Sequence, residues 1–351
     1  MQTLKIFLSS LQTVPATVTW LLSDISEAKG KQDLFMHQSP QTLKLLREHA
    51  LIESAVSSNR IEGVEIESKR TGTVVFGRPL LKDRNEEEIQ GYRDALQWIH
   101  GASASVDLDQ AAVLRLHQMS RGDIWDAGQY KEKNGNIIER LPNGEVRIRF
   151  TPVSAALTGP SMNELFELYG RIKRDAVIHP LIAMAAFSLD FLCIHPFRDG
   201  NGRVSRLLIL MQLYHNDFLV GRYISIERLI EEFKERYYET LEQSSQRWHE
   251  GRHDPWPYIQ FLLYIIKKAY AELFVRVDHA LVPKGEKSRL IISQIEGFNG
   301  EFTVTQLMQK CPSVSRDLIR HVLKKLSNEG KIVSRGRGPA ARWQRKGNTP
   351  L

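Results

Sequence analysis

The chain has 351 residues, with 42% hydrophobic and 25% charged residues and a formal net charge of +7. That is the composition of an ordinary soluble globular protein, long enough for two or three modules, and it excludes a disordered, fibrous or disulfide-stapled chain. No apolar run reaches the ~18 residues that a membrane helix needs: the longest, Ile259 to Ile266, stops at Lys267-Lys268.

The N-terminus, with one Lys and a short apolar stretch from Ile6 to Leu8, makes a poor signal peptide. Cys193 and Cys311 lie far apart without metal-ligand spacing, so a reducing, cytoplasmic setting is expected. The charge is uneven. From Lys284 onward there are 14 Lys and Arg against 5 Asp and Glu, which leaves 34 basic and 36 acidic residues for the rest. The basic character belongs to one tail module, as a polyanionic partner or a solvated surface would require.

In chain order the pattern is mostly helical. Helical spacing of apolar residues runs over 15–31 and 41–58, for instance Leu43, Leu46, Ala50 and Ala55. After Gly63 an irregular stretch reaches about Asp83, with Thr71-Gly72-Thr73 and Gly77-Arg78-Pro79 as breakers. Helices resume at 85–99 and 108–119. Within 128–152, Pro142-Asn143-Gly144 signals a turn between Asn136-Ile137-Ile138-Glu139 and the alternating Val146-Arg147-Ile148-Arg149-Phe150. This predicts a β-hairpin, too small for a core of its own and more suited to a flap. Residues 180–193 are apolar nearly all round, the mark of a helix at the centre of a bundle. Pro196 ends that helix near His195. A second buried helix follows Gly200 and Gly202, with further helices at 226–247 and 257–278. After Pro283-Lys284-Gly285, three short helices (287–297, 304–311, 314–328) precede strands at Lys331-Ile332-Val333 and Ala341-Arg342-Trp343 around Gly336-Arg337-Gly338. The tail thus resembles a winged-helix module.

The chemistry-bearing segment is His195-Pro196-Phe197-Arg198-Asp199-Gly200-Asn201-Gly202-Arg203-Val204-Ser205-Arg206. It joins two buried helices and puts a glycine-rich turn at a helix N-terminus, where backbone N–H groups and the helix dipole form an anion site. Arg203 and Arg206, three apart, share one side of the first turn. Two guanidinium groups beside such a nest suit a polyphosphate. Asp199 is a carboxylate for a divalent cation, since magnesium needs only one or two beside phosphate oxygens. His195 is the group there able to accept a proton near neutral pH. Together these parts spell phosphoryl or nucleotidyl transfer.

The segment resembles the Fic family signature, His-x-Phe-x-Asp/Glu-Gly-Asn-Gly-Arg-x-x-Arg, and matches it throughout. The resemblance implies a mainly α Fic-type helical bundle with a β-hairpin flap. It also implies transfer of AMP from ATP, with Mg2+, to a Ser, Thr or Tyr hydroxyl of a target protein or of the enzyme itself. On that reading His195 is the general base, Phe197 anchors the loop and Asp199 binds the metal. Arg198, Gly200, Asn201 and Gly202 line the phosphates, and Arg203 and Arg206 hold the outer ones. Gly202 stands where the family's kinase-like branch carries Lys. Upstream, Ser58-Asn59-Arg60-Ile61-Glu62-Gly63 resembles the inhibitory motif Ser/Thr-x-x-x-Glu-Gly/Asn. This implies that Glu62 pairs with Arg206 where a γ-phosphate belongs, and also serves removal of AMP. Tyr237 and Tyr238 occupy a place resembling the adenine-side pocket, as stacking aromatics or as core residues. Ser245 stands where relatives carry Asn.

The expected organisation is a helical region with the inhibitory helix (1–85), a catalytic core (86–280) and a winged-helix-like domain (285–351). In 314–328, Ser315, Arg316, Arg320, Lys324 and Lys325 oppose an apolar stripe, as in a DNA reader or a protein-contact module, so DNA is a candidate partner through residues 313–345. No membrane partner is expected; a homo-oligomer is. The alternatives are a DNA-binding regulator whose core senses nucleotide, and a transferase using UTP, GTP or CDP-choline.

Overall fold

The structure, a computed structural model, describes residues 1–9, 13–36, 40–64, 83–102, 106–122, 124–140, 144–281, 286–296, 298, 300–311, 314–336 and 341–346. The breakers expected in 65–82, the Pro142-Asn143 half of the hairpin turn, Pro283 to Gly285 and Arg337-Gly338 lie outside them. The chain divides into two compact units, Met1–Val275 and Arg276–Leu351.

The first unit is helical: α1 (Gln2–Ser9), α2 (Ala16–Met36), α3 (Pro40–Ile61), α4 (Arg84–Ala102), α5 (Gln110–Arg121), α6 (Ala155–Arg174), α7 (Pro180–Ile194), α8 (Asn201–His215), α9 (Ile226–Glu232), α10 (Lys234–Ser245) and α11 (Trp256–Leu281), within which the unit boundary falls. The centre is α7. Pro180 starts it with the fixed φ of a first-turn proline, and the His179 ring accepts the Leu181 N–H. Its residues are apolar on every face, and all but Leu192 and Pro180 are buried. α6 and α8 pack on it. So does α1, because the buried Asp190 carboxylate accepts the N–H groups of Thr3 (2.9 Å) and Leu4 (3.0 Å), two donors of the α1 first turn.

The hairpin is present: β1 (Ile137–Arg140) pairs antiparallel with β2 (Val146–Phe150), Ile138 opposite Ile148 and Arg140 opposite Val146. An irregularity between Ile137 and Ile138 bends it. Ile138, Val146 and Ile148 stay exposed, so core burial does not hold the hairpin down.

Two local details differ from expectation. Residues 226–247 are two helices, broken at Phe233, rather than one. Helix α6 adds to the expected set; it begins with Gly159-Pro160 in its first two turns, yet Met162, Leu165, Tyr169 and Ile172 supply a buried stripe that outweighs the missing N–H.

The second unit holds α12 (Glu286–Glu296), α13 (Val304–Lys310) and α14 (Arg316–Asn328). Its antiparallel sheet has the order β3-β5-β4, from Phe302–Thr303, Arg342–Arg345 and Ile332–Arg335. Thr303 and Gln306 form a reciprocal capping box on α13. Ser315 caps α14, whose apolar stripe, including Ile319, Val322, Leu323 and Leu326, is buried against Ile291, Ile295 and Phe302.

Candidate functional site

The site forms where α7 ends. Its last turn closes with His195 N–H donating to the Phe191 carbonyl at 2.9 Å, and His195 itself takes a left-handed backbone, φ +50°. Pro196 then forbids further helix. Gly200, φ +84°, turns the chain into α8; a side chain there would strain the backbone and press on the Arg121 stem.

Asn201 stitches the loop: its amide oxygen accepts the Phe197 N–H (2.9 Å) and its NH2 donates to the Phe197 carbonyl (2.8 Å). Its side chain is thus committed to the loop, and only its backbone is left for a phosphate. Phe197 is fully buried and stacks on His117, ring centroids 3.7 Å apart and 3° from parallel. His117 Nδ1 accepts the Gly128 N–H at 2.9 Å, so the ring carries its proton on Nε2 and donates to the Asp199 carbonyl at 3.0 Å. Burial above all pulls the His117 pKa down to about 4, which keeps that tautomer neutral.

The arginines meet α3. Arg206 donates from Nε to Ser58 Oγ (2.9 Å) and from Nη2 to the Ser58 carbonyl (2.9 Å) and Glu62 Oε1 (2.8 Å). Burial disfavours its charge, but the Glu62 carboxylate outweighs that and raises its pKa. Nη1 of Arg206 is buried with no hydrogen-bond partner among the described residues. A Cβ at Gly202 would overlap the Glu62 carboxylate and sit 3.1 Å from that Nη1. Ser58, Glu62, Gly202 and Arg206 therefore converge on one point. Gly63, φ +82°, ends α3 as a left-handed cap, which aims Glu62 back over Gly202.

Arg203 takes a different direction from Arg206. Its Nη1 donates to Glu88 Oε2 (2.7 Å) and to Asn59 Oδ1 (3.2 Å), and it is 1% exposed. Glu88 also receives Arg121 at 2.8 Å and Arg84 at 3.1 Å. Arg121 reaches on to Asp199 Oδ2 at 2.7 Å, and Gly200 N–H donates to Asp199 Oδ1 at 2.6 Å. Burial acts to raise the Asp199 pKa; Arg121 and then Arg203 overcome it and hold the carboxyl below the usual range. Sequence reasoning missed Glu88, Arg121, Asn59 and His117. Each is an ordinary residue in its own helix, and only the fold gives it a partner.

His195 stands between two cavities. One, about 420 Å³, runs from Glu62 and Gly202 past Leu189, Leu192 and the hairpin to Tyr237, Tyr238 and Ser245. Tyr237 is buried in the aromatic cluster with Tyr258 and Phe261 while also lining this cavity. The other cavity, about 450 Å³, is lined by Trp125, Tyr130, Lys131, the strand lead-in at 134–137 and Arg198. Arg198 faces this second cavity, over the Trp125 ring (5.5 Å) and 3.9 Å from Asp126, and does not join the Gly202–Arg206 cluster. His195 Nδ1 is buried without a hydrogen-bond partner among the described residues, which leaves Nε2 for the cavities. Burial first, then the Lys131 ammonium, pulls the His195 pKa down to about 4, so the ring is neutral at pH 7.

Among the described residues no group of three or more His, Cys, Asp or Glu is gathered for a metal ion, and no helix is long and apolar enough to cross a membrane. Cys193 and Cys311 are buried and unbridged.

Residues 107–213 match the model of the Fic/DOC family. The protein adenylyltransferase Fic of Drosophila melanogaster is 25% identical over 180 residues, 50% of this chain and 34% of the fly protein; the match therefore spans about a third of that relative's length. The protein of the same name from Nematostella vectensis is 24% identical over 251 residues, 69% of this chain and 53% of its own. A Fic family protein from Desulfovibrio desulfuricans G20 shares the fold over 96% of this chain and 98% of its own, with a TM-score of 0.62 at 24% identity. With the matched segment containing the whole of α7, the His195 loop and most of α8, the chain carries a Fic/DOC family domain.

Proposed function

We propose that this protein transfers AMP from ATP to a Ser, Thr or Tyr hydroxyl of a target protein, and to itself, and that Glu62 holds the activity off. The observation that carries this reading is the Glu62 carboxylate laid over Gly202 and bonded to Arg206, beside a buried Arg206 Nη1 that lacks a partner among the described residues. That orphaned donor fits a phosphate oxygen, and the carboxylate stands where such an oxygen would bind.

The roles follow. ATP lies in the first cavity with its base toward Tyr237, Tyr238 and Ser245 and its phosphates toward Gly200, Gly202 and Arg206, while Arg203, committed to Glu88 and Asn59, braces the loop. The target hydroxyl arrives from the second cavity. His195 Nε2 takes its proton as its oxygen attacks the α-phosphorus, the bond to the bridging oxygen breaks, and pyrophosphate leaves. The half-exposed Asp199 carboxylate would hold a magnesium ion in place of its pairing with Arg121, and such an ion would neutralise phosphate charge. The same Glu62 supports a reverse reaction that removes AMP. Gly202 in place of Lys, and the names of the curated relatives, support nucleotidyl transfer over phosphoryl transfer.

The test is labelling with mixed nucleotides and a lysate, read by mass spectrometry. Glu62→Gly is expected to raise an AMP adduct and His195→Ala to abolish it; a uridylyl, guanylyl or phosphocholine adduct would assign another donor. No label with either the wild type or Glu62→Gly would sink the reading.

A second reading concerns the tail alone. Arg316, Arg320 and Lys324 are exposed on α14, which supports DNA contact by a winged-helix module. DNA affinity should fall steeply with salt and with Ala at all three positions. Binding indifferent to both would reject it.

A further inference from the structure

The proposed chemistry needs His195 in a backbone conformation that non-glycine residues avoid. Something outside the loop must hold it there. The last carbonyls of α7 are among those a helix leaves without an internal partner. Here Val153 N–H takes the Cys193 carbonyl at 3.3 Å, and one residue takes the next three carbonyls. Lys131 Nζ donates to the Ile194 carbonyl at 2.9 Å and to the His195 carbonyl at 2.8 Å, and the Lys131 backbone N–H donates to the Pro196 carbonyl at 2.9 Å. Three consecutive carbonyls centred on His195 thus close on one lysine, sixty-odd residues away in sequence. The ammonium also lies where the negative end of the α7 dipole favours a cation.

We propose that Lys131 is the positioning residue for His195: it clamps the carbonyls on both sides of the base and fixes its left-handed backbone. This inference rests on the functional reading above for its kinetic arm only. Lys131 lines the second cavity and not the first, so its effect belongs to the base and acceptor side rather than to nucleotide binding.

The charge environment agrees. The charged groups acting on the imidazole are Lys131 from the lead-in to the hairpin, Glu62 from the end of α3 and Asp199 from the loop. Lys131 acts to lower the His195 pKa; the two carboxylates act to raise it. Glu62 is bonded to Arg206 and Asp199 to Arg121, while Arg149 is paired with Glu139 and Glu242 on the hairpin side. Burial brings the Lys131 pKa down to about 8, so the ammonium persists at pH 7.

The test compares Lys131→Met and Lys131→Arg, each made in the full chain with and without Glu62→Gly. NMR of labelled histidine side chains, with His195 assigned by its loss in His195→Asn, gives the titration midpoint without any turnover. Lys131→Met is expected to raise that midpoint and to lower kcat for AMP transfer ten- to a hundredfold at pH 7. KM for ATP should stay within twofold. Lys131→Arg should restore most of both. A midpoint and kcat unchanged in Lys131→Met overturn the inference. So does a loss of kcat that Arg does not restore and that leaves the midpoint in place, since that is the signature of damaged packing. If Glu62→Gly labels nothing, the functional reading fails, and the His195 midpoint still decides the role of Lys131.

Discussion

The loop at residues 195–206 and the hairpin across from it bound the same cavity, yet different physics holds each. The loop is fixed from inside. Asn201, Phe197, His117, Arg203 and Glu88 are buried or nearly so and bonded in series, so that moving one strands another away from water. The hairpin is fixed from outside. Its apolar Ile138, Val146 and Ile148 are exposed, and it reaches α10 through ion pairs of Arg147 and Arg149 with Glu242. The loop is over-determined; the hairpin is held largely by contacts that water can replace.

The comparison breaks most sharply at Glu88. Its carboxylate takes Arg203, Arg121 and Arg84, and both Arg203 and Arg121 are buried. Glu88→Ala takes from the buried Arg203 its close counter-charge and leaves both Arg203 and Arg121 only the half-exposed Asp199, and the expected loss is about 3–5 kcal/mol. Urea unfolding measures it. A loss below about 1 kcal/mol, the range of an exposed pair, would mean that the loop is no better fixed than the hairpin.

Acid should attack the same interior. Burial holds His100, His117 and His195 each at about 4, against an ordinary 6.5. The unfolded chain then binds more protons than the folded one between those values, so stability is full above pH 6.5 and is lost as pH falls toward 4. On the order of 3 kcal/mol in total is expected over that window, after allowing for relaxation around partly exposed rings. A melting temperature flat between pH 7 and 4.5 would contradict it.

Ser58→Ala probes the seam between α3 and the loop. Ser58 is fully buried and its hydroxyl oxygen accepts from Arg206 Nε. Losing it leaves a buried N–H unpaired, at about 1–2 kcal/mol, and loosens the segment that carries Glu62. AMP labelling should rise, by less than in Glu62→Gly. Labelling that stays at the wild-type level, alongside a strong signal in Glu62→Gly, would separate Ser58 from the inhibition.

The two regions also differ in how far the sequence foretold them. Gly200 and Pro196 announce the loop, because only a turn tolerates them between two apolar runs. The hairpin is legible in its alternation and its turn residues. What the sequence hides is partnership over distance. Glu88 is one of three consecutive glutamates on α4, and nothing local says which of them turns inward to Arg203. Lys131 lies in a charged run, Lys131-Glu132-Lys133, that reads as a solvated loop. A spacing of three puts Arg203 and Arg206 on one side of α8, but α3 and α4 divide them: Arg206 goes to Ser58 and Glu62, Arg203 to Asn59 and Glu88. Helix α6 was masked by its Gly159-Pro160, where tertiary burial of one stripe outweighed local propensity.

The smallest effect should come from Glu242→Gln, and its smallness is the point. Glu242 receives Arg147 at 2.6 Å and Arg149 at 3.4 Å, linking β2 to α10 beside the first cavity. Arg147 is half exposed and Glu242 a quarter exposed, so the pairs are screened by solvent and salt. Global stability should fall by less than about 1 kcal/mol, and by less still at 0.5 M salt, where the Debye length is only ~4 Å. The local effect is larger than the global one. With Ile138, Val146 and Ile148 exposed, these pairs share with Phe150, against Trp248 and His249, the work of tying the hairpin down, so amide exchange in β1 and β2 should quicken while exchange in α7 stays unchanged. Equal acceleration in both places would show the hairpin and the buried loop to be one cooperative unit.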